Sequence, residues 1–293
     1  MPIDADTLLP WFETHGRELP WREPDCTAWG VLVSEIMLQQ TPVARVEPVW
    51  RQWLRRWPRP SDLAAEPQGE VLRAWGKLGY PRRALRLHSA ADAIAREHDD
   101  VVPSDVDTLL ALPGIGSYTA RAVVAFGYGK AAPVVDTNVR RVIARAVHGA
   151  GDAGPASNTR DLADAQALLP TGDSEARAAR FSAALMEVGA LVCTAHNPTC
   201  ADCPLAADCA WLRAGKPAYD GPAKPVQRFA GTDRQVRGLL LDVLRATEGP
   251  VPKVRLDQAW SKGGQRDRCL DSLLVDGLVE QTADGHFALP GEH

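Results

Sequence analysis

The stretch Leu112-Pro113-Gly114-Ile115-Gly116-Ser117-Tyr118-Thr119-Ala120 decides the fold. Helical periodicity stops at Leu112 and resumes near Ser117. The glycines between them allow positive φ in a tight hairpin. With no side chains there, the backbone N–H groups at the start of the second helix stand open to an anion such as a DNA phosphate. Gly-x-Gly alone also fits an ordinary turn between helices. The flanking helices and the small residues make this one a helix-hairpin-helix.

Outward from the hairpin, residues 1–215 read as mostly helical. Apolar residues recur at helical spacing in Trp29–Met37, Val43–Trp57, Leu85–Ile94, Val106–Leu112, Thr119–Phe126 and Thr137–Val147. Turn signals separate these segments at Trp57–Pro60, Asp99–Ser104 and Tyr128–Lys130. Ser104, followed by Asp105 and Asp107, has the pattern of a helix N-cap with acids in the first turn. Gly149–Asn158 reads as a surface loop.

Twenty residues past the hairpin lies Val134-Val135-Asp136-Thr137-Asn138-Val139-Arg140-Arg141-Val142. Asp136 follows an apolar stretch and opens a helix, as many N-cap aspartates do. A carboxylate held there at a cleft could also stabilise a sugar cation, and the two roles are compatible. Upstream, Val33-Ser34-Glu35-Ile36-Met37-Leu38-Gln39-Gln40-Thr41-Pro42 places Glu35 inside an otherwise apolar helix. Most glutamates face water. Here Trp29, Val31, Leu32, Ile36 and Leu38 leave little polar face, so the carboxyl is expected to hold its proton and act as a general acid.

Four of six cysteines fall within 17 residues, as Cys193-x6-Cys200-x2-Cys203-x5-Cys209; Cys26 and Cys269 stand apart. Clustered thiols in a cytosolic chain point to metal before disulfides. Four thiolates can hold a [4Fe–4S] cluster, one per iron. Structural zinc is the alternative, although zinc sites usually pair two C-x2-C knuckles and only one occurs.

Composition narrows the partners. The 293 residues are 24% charged and 45% hydrophobic with a net charge of −4, ordinary for a globular protein with room for two domains. No run of about 18 apolar residues suggests a membrane span, and the N-terminal residues lack a secretory pattern, so the expected location is cytoplasmic. Bulk charge does not favour nucleic acid, but arginines cluster at Arg51, Arg55, Arg56 and Arg59, at Arg82, Arg83 and Arg86, and at Arg140, Arg141 and Arg145. They could meet phosphate or simply face solvent. Residues 214–232, rich in Gly and Pro, read as a linker. Beyond it come three helical segments, Arg234–Thr247, Lys253–Trp260 and Gln265–Asp276, and a hairpin around Ala283-Asp284-Gly285. That order resembles a winged helix.

Six motifs in order carry a family resemblance: Leu19-Pro20-Trp21-Arg22, Ser34–Thr41, Leu78-Gly79-Tyr80, the hairpin, Val135-Asp136-x-Asn138 and the cysteine loop. Over residues 5–213 the chain resembles the MutY adenine DNA glycosylases, helix-hairpin-helix enzymes related to endonuclease III. The resemblance implies a mainly α, two-lobed catalytic region over 1–213. A six-helix lobe carrying the hairpin would span about 28–134, and a cluster lobe would join about 1–27 with 135–213. A 214–232 linker and a winged-helix-like module over 233–293 follow. It implies a [4Fe–4S] cluster on Cys193, Cys200, Cys203 and Cys209. It also implies duplex DNA with an adenine mispair as partner, with the protein acting as a monomer at the nucleoid.

By the family pattern, Glu35 protonates the flipped adenine, Asp136 stabilises the oxocarbenium-like sugar, and Asn138 and Tyr118 orient this network. Trp21, Arg22 and Leu38 match the adenine pocket. Gln40 and Tyr80 match residues inserted into the duplex, with Leu78 assisting and Thr41 in the same polar turn. Gly114, Gly116 and Ser117 would meet phosphate. Bifunctional relatives carry a lysine nucleophile where this chain has Tyr118, which implies a monofunctional enzyme. Thymine-mismatch glycosylases share the tyrosine but lack the glutamate of the Ser-Glu motif, so Glu35 favours adenine. The chain departs from the pattern in four places, one being Tyr80-Pro81 where the family repeats the tyrosine after Leu-Gly. The residues after 213 are too few for a Nudix-like domain, Ala183 stands where many members place Glu or Gln, and Thr194–Thr199 carries His196 but no Lys or Arg.

Overall fold

A computed structural model describes residues 3–172, 174–222 and 228–292. Residues 223–227, within the expected linker, lie outside them. The chain divides into two compact units: the described parts of Met1–Leu32, Ser104–Leu110 and Gly116–Ala223, and those of Val33–Pro103, Ala111–Ile115 and Lys224–His293. Residues 116–134 thus group with the cysteine-bearing unit, although the family resemblance sets them with 28–115. The described C-terminal residues, 228–292, cluster with the second unit.

The helices run in order: α1 (Ala5–His15), α2 (Ala28–Leu38), α3 (Val43–Arg56), α4 (Pro60–Ala64), α5 (Gln68–Trp75), α6 (Arg82–Glu97), α7 (Val106–Ala111), α8 (Ser117–Ala122), α9 (Thr137–Ala146), α10 (Asn158–Leu168), α11 (Glu175–Leu191), α12 (Ala210–Arg213), α13 (Asp233–Arg245), α14 (Lys253–Asp257) and α15 (Gly263–Val275). A π-helical turn, Val123–Gly127, prolongs α8. Two short strands, β1 (Glu280–Gln281) and β2 (Phe287–Ala288), pair antiparallel, and Val251 bridges to Phe287.

In the first unit α11 packs against α1 and α9, while α10 and α12 pack on α9. Leu8, Val139, Val142, Phe181, Leu185 and Val188 are among the residues sealing this core. Gly189 is required where α11 meets α9, since a Cβ there would stand 2.7 Å from the Asn138 Cβ. Side-chain oxygens cap the helix starts: Asp136 accepts from Val139 N at α9, and Ser174 from Arg177 N at α11. The cap of α7 is Asp105, which accepts from Thr108 N at 2.8 Å, and not Ser104 as its sequence pattern suggests. The Ser104 hydroxyl accepts instead from Lys130 Nζ at 2.8 Å.

In the second unit α4 and α5 pack on α6, and α3 on α5. Tryptophans dominate this core. Trp53 meets Trp57 and Trp75 edge-on at centroid distances of 4.8 and 5.6 Å. The Trp53 and Trp75 indoles also donate to the Ala74 and Gly79 carbonyls. The C-terminal helices form their own layer, α13 against α14 and α15, over Val236, Leu240, Leu244, Leu270 and Leu273. Polar contacts fasten this layer to α5. Gly69 N donates to Pro290 O at 2.9 Å, Arg73 pairs with Glu292 at 2.6 Å, and Arg245 Nε donates to Leu72 O at 3.1 Å. These contacts explain why residues 228–292 cluster with the helical layer.

Candidate active site

In the first unit the Asp136 carboxylate is fixed on both oxygens. Oδ1 accepts from Val139 N at 2.7 Å and Oδ2 from Asn138 Nδ2 at 2.8 Å. Burial pushes its carboxyl above the ordinary aspartate value, against the opposing pull of these hydrogen bonds and of Arg141. Asn138 is itself oriented, because its Oδ1 accepts from Arg141 Nη2 at 2.8 Å. Arg141 then reaches Gly189 O at 2.6 Å and Cys193 O at 2.6 Å. One buried guanidinium therefore links the carboxylate, through Asn138, to the start of the cysteine loop. The segment before Asp136 is held as well, with the Ser182 hydroxyl donating to Ala132 O at 3.0 Å. Tyr118 is half-buried in the first turn of α8, and Gly116 is the N-cap residue of that helix.

Trp21 and Arg22 lie in a 3-10 turn, Pro20–Arg22. Trp21 is buried. Arg22 is taken up by Glu187 of α11, at 2.8 Å, and Arg17 binds the same carboxylate through Nε at 2.7 Å and Nη2 at 2.9 Å. Burial alone would raise the Glu187 carboxyl. The hydrogen bonds and charge of the two arginines outweigh it and bring the value down to about 2. Glu187 thus anchors the turn that carries Trp21. Sequence patterning does not single it out, although an acid inside the apolar run Phe181–Leu191 is the signal that could have.

In the second unit Glu35 is buried, at 5% exposure, within α2 between the buried Ser34 and Ile36. Leu38 and Gln39 at the end of that helix are half-buried and Gln40 is exposed. The end of α2 is gathered by Arg83, a buried guanidinium from α6. Its Nη1 donates to Ile36 O, Met37 O and Gln39 O at 2.8, 3.0 and 2.6 Å. Its Nη2 donates to Thr41 Oγ1 at 3.0 Å, Gly79 O at 2.9 Å and Leu78 O at 3.4 Å. Burial pushes Arg83 down to about 10, which leaves it charged at neutral pH. Glu35's helix, Thr41 and the Leu78–Tyr80 turn are thereby joined at one cation. Gln40 and Tyr80 both adopt left-handed backbone, with φ of 55° and 47°. For residues other than glycine this costs about 1–2 kcal/mol. Gly114 needs its φ of +74°, and a Cβ there would meet the Arg86 Cβ at 2.7 Å.

The arginine clusters therefore have a use that neither solvent nor phosphate describes. Arg83, Arg141 and Arg145 are buried and serve main-chain carbonyls. On another cluster, Arg56 and Arg59 are engaged by Glu66, Glu70 and Asp62.

Cys193, Cys200, Cys203 and Cys209 line one pocket with Val142, Ala146, Val192, Leu205, Trp211 and Leu212; its empty space is about 340 Å³ including the open mouth. None is in a disulfide. Arg145 of α9 lines the same pocket, stacks on Trp211 at 4.7 Å, donates to Thr194 O at 2.7 Å and lies 3.5 Å from Cys193 Sγ. The loop that lacks its own basic residue is thus served by one from a neighbouring helix. Burial pushes the Cys203 thiol up to about 11 and raises that of Cys193, where Arg145 opposes the rise. Among the described residues, no three His, Cys, Asp or Glu side chains are grouped so as to hold a single metal ion.

The hairpin, the capped aspartate and the buried glutamate all lie within the residues matched by a helix-hairpin-helix family of base excision repair proteins. The HhH-GPD superfamily base excision DNA repair model matches residues 33–163. The adenine DNA glycosylase of Mycolicibacterium smegmatis is 64% identical over all of this chain and 98% of its own length. A thermostable thymine-DNA glycosylase structure superposes with a TM-score of 0.64 at 27% identity, covering 72% of this chain and 95% of that one. A trapped endonuclease III–DNA intermediate shares the fold, with a TM-score of 0.61 at 24% identity over 72% of this chain and 94% of that one. The chain belongs to the adenine DNA glycosylase family.

Proposed function

We propose that this chain is a monofunctional glycosylase that hydrolyses the N-glycosidic bond of adenine mispaired with 8-oxoguanine or guanine in duplex DNA. The observation that carries this reading is the Asp136 carboxylate, held on both oxygens by Val139 N and Asn138 in an enclosed setting. The adenine must leave the stack, at a cost of a few kcal/mol that a mispair lowers. Glu35 then protonates the base so that it departs as a neutral leaving group. Asp136 balances the positive charge that grows on the sugar, and water completes the hydrolysis. Two carboxyl groups in unlike surroundings suit this division between acid and electrostatic partner. Tyr118 has no amine to form a Schiff base, so strand cleavage does not follow. Trp21, Arg22 and Leu38 receive the adenine, and Gly114, Gly116 and Ser117 meet the backbone. The protein acts as a cytoplasmic monomer, with its catalytic region over 1–213 and a winged-helix-like module over 233–293.

The four cysteines suit a [4Fe–4S] cluster. They share one apolar-walled pocket, and four thiolates supply one ligand for each iron. Such a cluster would supply cohesion to residues 193–209, and through Arg141 its loop is tied to Asn138. The thermostable thymine-DNA glycosylase in the same fold gives a second reading, removal of thymine opposite guanine. Base release from duplexes with adenine opposite 8-oxoguanine, guanine or cytosine, and with thymine opposite guanine, separates the two. Adenine release from the first two alone is expected. Thymine release without adenine release would overturn the proposal.

A further inference from the structure

The C-terminal residues reach the turn that carries Tyr80. Arg234, in the first turn of α13, donates from Nη1 to the Tyr80 hydroxyl at 2.7 Å. Its guanidinium lies 5.5 Å from the Tyr80 ring and 5.1 Å from the Phe229 ring. Arg83 also stands 5.7 Å from the same tyrosine ring. The backbone beneath is fixed, because Arg83 holds Leu78 O and Gly79 O. The flanks of the turn are pinned to the C-terminal layer as well: Lys77 to Asp242 at 3.6 Å, and Arg82 to Asp276 at 3.3 Å. Tyr80 nevertheless remains 39% exposed and Phe229 52% exposed. Two open aromatic rings joined by a guanidinium make a surface on which nucleobases stack.

We propose that Arg234 is a positioning residue for Tyr80, and that the Tyr80 ring it holds, beside Phe229, is a stacking surface for the bases at the mispair. The C-terminal helices thereby take part in mispair recognition. This rests on the reading of Tyr80 as a residue that enters the duplex. Arg234 holds the phenol at a fixed angle through the hydroxyl and the ring face together. Because the guanidinium is engaged by the phenol and a second ring, its main effect is on mispaired DNA and not on phosphate in general.

The test measures binding of the full chain to a duplex with a cleavage-resistant 2′-fluorinated adenosine opposite 8-oxoguanine, and to a matched duplex, at several salt concentrations. Arg234→Ala, Arg234→Gln, Tyr80→Ala and the Tyr80→Ala/Arg234→Ala pair are compared, each with its thermal melt. Arg234→Ala and Arg234→Gln are expected to weaken mispair binding roughly five- to tenfold, as loss of a partly desolvated cation–π contact implies. Matched-duplex binding and the salt slope should hardly change. The double variant should bind no worse than Tyr80→Ala alone. Multiplying effects in the double variant, or equal losses on both duplexes with a salt slope lower by about one, would mean an independent phosphate contact and overturn the proposal. Unchanged binding in both Arg234 variants would overturn it too. A Tyr80→Ala protein indistinguishable from wild type would instead show that the reading of Tyr80 fails, and the proposal with it.

Discussion

Arg83→Lys tests whether one buried cation organises the end of α2 and the Leu78–Tyr80 turn. The guanidinium donates to five main-chain carbonyls and to the Thr41 hydroxyl from a position 6% exposed. Counting only two of these as net charge-assisted hydrogen bonds, at about 1.5–3 kcal/mol each, complete loss costs about 3–6 kcal/mol. That corresponds to a melting temperature lower by on the order of 10 °C. Lysine keeps a charge but has one nitrogen where arginine has a planar fork, so it cannot serve both sets of acceptors. Burial would also bring an ammonium, which starts near 10.4, closer to neutrality than arginine. The lysine variant should recover about half of the loss. It should nonetheless excise adenine at least about tenfold more slowly, because a small misplacement of catalytic groups is costly. Thermal melting and single-turnover excision measure both effects. A lysine variant with wild-type melting temperature and wild-type rate would show that Arg83 organises nothing.

Asp136→Asn should be inactive yet at least as stable as wild type at neutral pH. Asparagine still caps α9, and a carboxyl whose folded value is raised destabilises the fold once it ionises. The acid limb of the wild-type pH–rate profile should accordingly fall above 3.8, the ordinary aspartate value; a limb below it would contradict the burial argument. Glu187 has the opposite sign. Its value drops from 4.5 to about 2, so its stabilisation is complete above pH 4.5 and disappears as pH falls towards 2. It amounts to on the order of 2 kcal/mol, allowing for solvent around Arg17. Glu187→Gln should erase that acid-dependent component in denaturation followed against pH. Cys200→Ser should lower bound iron and shift melting downward, and equal iron content and melting temperature would refute a shared cluster.

The sequence was legible where one side of an element is apolar and the other polar. Helices α3 and α9 begin and end within about two residues of their periodic segments, and Asp136 caps α9 as its pattern suggests. Helix α11 was not legible as an element. Its Glu175–Leu191 run is alanine-rich and buried on most faces, so it has no amphipathic stripe, and with it went the position of Glu187. The parts played by Arg83, Arg141 and Arg145 could not be read either, because their acceptors are mostly backbone carbonyls, which every residue possesses. Ser104 and Asp105 are both good caps, and only the competing claim of Lys130 on the serine decides between them. Arg234 and Tyr80 are 154 residues apart, beyond the reach of any local pattern.

The proposed reaction depends most directly on Glu35 and on the base it releases. Single-turnover excision should be measured on a duplex with adenine opposite 8-oxoguanine, using wild type and Glu35→Gln at enzyme concentrations that saturate the DNA. Free adenine from the wild type, and none from the variant while it still binds the duplex, is the result predicted. A Glu35→Gln protein that releases adenine at near the wild-type rate would contradict it.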